Sequence, residues 1–161
     1  MFATTDLSKL TKPELYRELT AQISGVVENE TDPVANMANC AALIFHSVPK
    51  LNWVGFYLLK GGELVLGPFQ GQVACVRIAF GRGVVGTAAE KRTTIRVADV
   101  NQFPGHIACD SASKSEIASD NFPDLAKTGF IIVVEAVQFR AIDVEDTEQV
   151  RIGAHQGNDD F

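Results

Sequence analysis

Positive charge is the scarcer sign in this chain: 14 Lys and Arg stand against 20 Asp and Glu, for a net charge of -6 and a pI near 5.0. A protein that grips a phosphate backbone concentrates the opposite sign, so nucleic acid is not an expected partner. No apolar run approaches the roughly 18 residues of a membrane span. Met1 to Leu10 lacks a basic segment leading into an apolar one, so no secretory leader is expected and the cytoplasm is the expected compartment. Cysteine is also sparse. Cys40, Cys75 and Cys109 are odd in number and widely spread, unlike a secreted disulfide framework, and any disulfide among them is expected to be transient. No C-x-x-C pair occurs, which argues against zinc, although Cys75, His106 and Cys109 could in principle supply three ligands. Internal repeats and low-complexity linkers are missing. What remains is one domain of 161 residues, 46% hydrophobic and 21% charged, long enough to build a sizeable core.

Local signals divide the chain. Thr11 and Glu14 have capping-box spacing and Pro13 fits a first turn, so a helix is expected to about Asn29, with Leu15, Leu19, Ile23 and Val26 on one side. Asp32 and Pro33 start a second helix with an apolar stripe of Val34, Met37, Ala38, Ala41 and Phe45, and Cys40 beside the stripe reads as helix packing. Asn52 to Leu59 is a strand by β propensity, Gly61-Gly62 a hairpin turn, and Leu64 to Phe69 the return strand. Val73 to Phe80 is a third strand, carrying Cys75. The Gly81 to Gly86 stretch lacks the P-loop lysine, so tight turning and close helix packing explain its glycines better than phosphate binding does. A short helix over Thr87 to Lys91 and a short strand over Thr94 to Val97 come next. A loop then runs to Glu116, a polar stretch over Ala118 to Thr128 resists assignment, and Phe130 to Val137 is a buried strand. A last helix starts at Asp143 and fades near Ala154. This order predicts an α+β domain with an antiparallel sheet and helices packed against it.

The stretch from Gln102 to Glu116 holds a thiol, an imidazole and two carboxylates among small residues, without strand or helix periodicity. Such a loop is a natural carrier of reactive groups. Cys109 can equally be read as a buried small hydrophobe, the commoner fate of a free cysteine. If Cys75 meets Cys109 in space, the pair can run a thiol cycle in which one sulfur takes an oxygen atom and the other condenses with it to a disulfide. His106 would then favour a Cys109 thiolate and Asp110 would oppose it. Trp53 and Tyr57, four residues apart on a strand, point to one face as core or as the wall of a pocket.

Asn52 to Leu58, Leu66 to Gly71, Ala74 to Ile78, Gly81 to Ala88 and Phe103 to Glu116 together resemble the free methionine-R-sulfoxide reductases, stand-alone GAF-fold enzymes. The similarity runs in order from Pro13 to about Ile117, and several motifs in one order are far more specific than any alone. The resemblance implies a single GAF-like domain over 1–161, with 118–161 diverged. It implies free methionine (R)-S-oxide as substrate, thioredoxin as reductant and no further cofactor. Cys109 matches the cysteine that attacks the sulfoxide sulfur, and Cys75 the resolving cysteine. Trp53 and Tyr57 match the aromatic wall around the substrate methyl group, and Glu116 an acid that contacts the substrate and helps protonate the departing oxygen. GAF domains often pair through outer helices, so a homodimer is a further implication.

Two departures stand out. Many members carry a third cysteine in the glycine-rich motif, where this chain has Val85. After Glu116 the family continues to a strand whose Asp-x-Asp binds the substrate, whereas this chain reads Thr128 to Gln138 with Glu135 as its only acid. A GAF-type binding or redox-sensing module that kept the pocket without turnover is therefore the alternative expectation.

Overall fold

The protein is described by a computed structural model covering residues 7, 9–120 and 130–136. The helix α1 spans Lys12–Val27 and α2 spans Pro33–Ser47. Both begin where their caps dictate. The Thr11 N–H donates to Glu14 Oε2 at 2.9 Å, and Asp32 Oδ1 accepts from the N–H groups of Val34 (2.8 Å) and Ala35 (2.9 Å). Leu15, Leu19 and Ile23 are buried on α1 as expected. On α2 the stripe is rotated from the expected one. Val34 is 56% exposed and Ala38 is exposed, while Met37 and Ala41 are buried, with Cys40, Ile44 and Phe45 packed beside them. Cys40 thus belongs to helix packing, and burial pushes its thiol up to about 11.

Among the described residues, six strands form one antiparallel sheet in the order β3-β2-β1-β6-β5-β4. They are β1 (Leu51–Lys60), β2 (Glu63–Gly71), β3 (Arg77–Ala79), β4 (Ile95–Val97), β5 (Ser115–Ser119) and β6 (Phe130–Ala136). The helix α3 (Gly83–Lys91) and a 3-10 turn at Val100–Gln102 complete the described elements. Gly61 (φ 60°) and Gly62 (φ 84°) close the β1-β2 hairpin, since both positions need the left-handed region. Alternation along β1 sends Val54 and Phe56 into a cluster with Met37 and Ala41 of α2, and Trp53 and Tyr57 into a cluster with Val84, Val85, Ala88 and Ala89 of α3. The sheet therefore lies between α2 and α3, the α+β arrangement expected. Among the described residues no helix is long and apolar enough to cross a membrane.

Three local expectations are corrected. Cys75 lies not in a strand but in the connection before β3, whose pairing begins only at Arg77. Side chains hold that connection in place of a full ladder: Trp53 Nε1 donates to the Gln72 carbonyl at 3.1 Å and Tyr57 OH to the Cys75 carbonyl at 2.8 Å. The helix expected at Thr87 begins at Gly83, because the glycine stretch makes its turn and first helical residues together. The loop expected to run to Glu116 ends at Lys114, and β5 inserts from Ser115 between β4 and β6 despite its polar composition. The expected final helix and most of the polar stretch lie outside the described residues.

Close packing, the reading given to the glycine-rich stretch, applies at Gly86. A Cβ there would run into the backbone carbonyl of Ala79, which cannot swing aside. Overpacking of this kind costs about 1–3 kcal/mol, against roughly 0.5–1 kcal/mol gained by replacing a helical glycine. Gly86→Ala is therefore expected to lower the unfolding free energy by about 1–2 kcal/mol. Urea denaturation reads this directly, and an unchanged midpoint would mean that the β3-α3 junction yields without cost.

Candidate active site

Cys75 and Cys109, 34 positions apart, are joined as a disulfide with Cα atoms 5.6 Å apart. That separation lies in the ordinary range for a bridged pair. The fold brings them together from two irregular segments. The β2-β3 connection carries Cys75, pinned by Trp53 and Tyr57, and the segment between the 3-10 turn and β5 carries Cys109. Both aromatic residues are 2% exposed; Tyr57 also lines the cleft, while Trp53 sits behind it, its ring stacked on Phe69 at 5.5 Å and tilted against Tyr57 at 6.1 Å. His106 faces Glu116 rather than the two bonded sulfurs.

A narrow cleft lies beside the disulfide, and its walls include Tyr57, Arg82, Val84, Cys109, Glu116 and Glu135. Glu116 and Glu135 enter it by register. They are direct partners across β5 and β6, and Trp53 is the partner of Glu135 across β1 and β6, so one row crosses the sheet on the face toward α3. Directly opposed like charges are destabilising, and burial makes them more so.

The opposition is relieved in two ways. His106 Nε2 lies 3.4 Å from Glu116 Oε2, an ion pair with both side chains largely buried. Glu116 raises the imidazole pKa above its ordinary value, against the lowering effect of burial, so His106 holds its proton more firmly than a free histidine. Glu135 follows the other route. Burial chiefly, then the charges of Glu116 and Asp110, push its carboxyl up to about 7, while hydrogen bonding from Ser113 and the charge of His106 pull the other way. At neutral pH this carboxyl is divided between acid and carboxylate, the condition in which a group can deliver a proton. Asp110 contrasts with it. The Ala112 N–H (2.8 Å) and then the Asn52 amide (2.9 Å) hold this half-buried carboxyl below the usual range.

Of the site residues expected from sequence, Cys109, Tyr57 and Glu116 line the cleft, Cys75 is bonded to Cys109, and Trp53 lies in the core beside Tyr57. Sequence reasoning named Glu135 without being able to place it, and missed Asn52 and Ser113. Glu135 had left a trace, since it is the lone acid in an otherwise apolar strand. Asn52 and Ser113 had left none.

No protein-family profile matches the chain. The chain is 57% identical over 108 residues to Protein YtsP of Bacillus subtilis, a match spanning 66% of this chain and 66% of that one. It is 42% identical over 144 residues to the free methionine-R-sulfoxide reductase of Escherichia coli, covering 88% of this chain and 86% of the relative. The solved free methionine-R-sulfoxide reductase from Neisseria meningitidis, in complex with its substrate, superposes with a TM-score of 0.82 at 44% identity, covering 91% and 86% of the two chains. The fold is that of solved GAF domains, one of which superposes with a TM-score of 0.83. Two cysteines meeting at a cleft, a sheet of GAF topology and identity of this extent lead to one assignment: the chain belongs to the free methionine-R-sulfoxide reductase family.

Proposed function

We propose that this protein, a single GAF-like domain, reduces free methionine (R)-S-oxide to methionine in the cytoplasm and is recycled by thioredoxin. The observation that carries this reading is the Cys75-Cys109 pair at a cleft lined by Glu116 and Glu135. In the first step the Cys109 thiolate attacks the sulfoxide sulfur. The oxygen takes a proton from a cleft carboxyl and ends on Cys109 as a sulfenic acid, while the substrate sulfur gains two electrons and leaves as the thioether. The Cys75 thiol then displaces that oxygen as water and forms the disulfide. Two electrons from a thioredoxin dithiol restore both thiols.

Glu135 serves as the proton source because it lines the cleft and burial pushes its carboxyl up to about 7. Glu116, paired with His106, is the carboxyl that receives the substrate ammonium group. Tyr57 forms the wall against the methyl group, and Trp53 backs it. A protein reductant finds an apolar rim beside the disulfide, since Val73 is 84% and Val76 64% exposed on either side of Cys75, and Ile107 lies two residues before Cys109.

The test is direct. The protein is incubated with racemic free methionine sulfoxide, thioredoxin, thioredoxin reductase and NADPH, and NADPH is followed to its end point. Consumption that stops near half of the added sulfoxide is expected for a single epimer. A second reading, a binding or redox-sensing module, draws on the unmatched Asp-x-Asp. It requires ligand-dependent stabilisation without consumption, so no NADPH loss with Cys109 shown to be reduced would favour it.

A further inference from the structure

One oxygen of Glu135 is already engaged. Ser113 Oγ donates to Glu135 Oε2, and Asn52 Nδ2 donates to Ser113 Oγ at 2.8 Å and to Asp110 Oδ2 at 2.9 Å. The sense of these bonds follows from the groups themselves. Asp110 is a carboxylate and only accepts, so the Asn52 group facing it is the amide NH2. That NH2 also fills a lone pair of Ser113, whose single hydroxyl proton is then left for Glu135. A cost accompanies the arrangement. Asn52 Oδ1 is buried and has no hydrogen-bond partner among the described residues. A buried unsatisfied acceptor in a built site calls for a reason, and the reason here is that Ser113 and Asp110 both require the NH2.

The chain of bonds links four parts of the fold: the start of β1, the residue after Cys109, the entry to β5, and the acid on β6. We propose that Asn52 and Ser113 are positioning residues for proton transfer. By occupying Glu135 Oε2 they leave Oε1 as the oxygen that carries the transferable proton, and through Asp110 they hold the Cys109 segment in register with that acid. This rests on the reading of Glu135 as the proton source. In the step itself, the proton passes from Oε1 to the sulfoxide oxygen as that oxygen moves to Cys109. The carboxylate left behind is stabilised by the Ser113 hydroxyl and takes its next proton from solvent.

The groups around Glu135 are Glu116 on β5, His106 and Asp110 on the Cys109 segment, Tyr57 on β1, and Arg82 at the head of α3 across the cleft. Glu116 and Asp110 favour the protonated acid; His106 and the Ser113 bond favour the carboxylate. Removing Ser113 therefore moves Glu135 in a known direction.

The experiment titrates the Glu135 carboxyl by infrared difference spectroscopy, its band identified by loss in Glu135→Gln. The same variants are assayed for kcat and KM across pH. Ser113→Ala is expected to raise the Glu135 midpoint by about one pH unit, the size of a lost hydrogen bond to a charged group. Asn52→Ala, which frees the serine proton to turn elsewhere, moves it the same way, and Ser113→Thr restores the wild-type midpoint. The basic limb of kcat moves up with it, and KM stays within about twofold. A folded Ser113→Ala protein with an unmoved midpoint overturns the proposal, as does a moved midpoint with an unmoved limb. If Ser113→Ala does not fold, Asn52→Ala reads the same shift. Should the wild type form no methionine at all, the functional reading fails and positioning for proton transfer fails with it, while the infrared shift still decides whether the hydrogen-bond network exists.

Discussion

Cys109→Ser is expected to form no methionine above background, a loss on the order of 10⁴-fold or more, because a hydroxyl is neither ionised nor soft enough to take an oxygen from a sulfoxide. Cys75→Ser behaves differently. It forms about one equivalent of methionine per protein and then stops as the sulfenic acid, since the Cys109 chemistry is intact and only resolution is lost. The Cα separation of 5.6 Å lies in the ordinary range for a bridged pair, so the fold accommodates the disulfide in which a complete cycle would end. Methionine released per mole of protein in a single-turnover experiment, with NADPH followed in parallel, separates the two variants. Cys40→Ser is the control. Its sulfur lies in the α2 cluster with Val54 and Phe56, on the far side of the sheet from Trp53 and Tyr57, and its substitution leaves turnover unchanged. Full steady-state activity in both site variants would sink the cysteine assignment.

Glu135→Gln is expected to move activity and stability in opposite directions. Loss of a positioned proton donor costs about 10²- to 10⁴-fold in kcat, and the basic limb near pH 7 in the rate profile goes with it. For stability, the folded chain binds this proton more tightly than the unfolded chain, because the carboxyl rises from 4.5 to about 7 on folding. The stability this confers is complete below about pH 4.5 and is lost as pH climbs through 7, where two directly opposed buried carboxylates must both be charged. Glutamine stays neutral throughout. Glu135→Gln therefore matches the wild type near pH 5 and exceeds it near pH 8 by about 2 kcal/mol, read by urea denaturation at the two pH values. A variant with the full rate and an unaltered pH profile would transfer the proton role to Glu116. The site thus retains a charge opposition that a purely structural sheet would not, the trade expected where activity is selected over stability.

His106 titrates in the same direction for another reason. Its raised pKa reflects the Glu116 carboxylate, so the contribution of that ion pair is present below the ordinary histidine value and fades as pH rises through the shifted one. Glu135 and His106 therefore both favour the folded state on the acid side of neutrality. The chain is expected to be more stable at pH 6 than at pH 8.

The helix starts, the hairpin and the β6 strand were legible from residues alone because their causes are local. Thr11 and Glu14 bond across one turn, Asp32 caps its own helix, Gly61 and Gly62 supply their own backbone angles, and an apolar run that short has few places to go but a buried strand. Expectations failed where a distant contact overrode the local signal. The Cys75 segment has strand-like composition, but Trp53 and Tyr57 hold its carbonyls, and Ser115 to Ser119 looks like loop until strands close on both its sides. The sequence by itself determined most of the element types and the family pattern, including the two cysteines that match the family's pair. Only the tertiary structure decided that Glu116 faces Glu135, that His106 serves Glu116, and that Asn52 and Ser113 reach the same acid. Those relations depend on β6 pairing with both β1 and β5. A single residue of slip in either register would turn the carboxylates to the other face of the sheet.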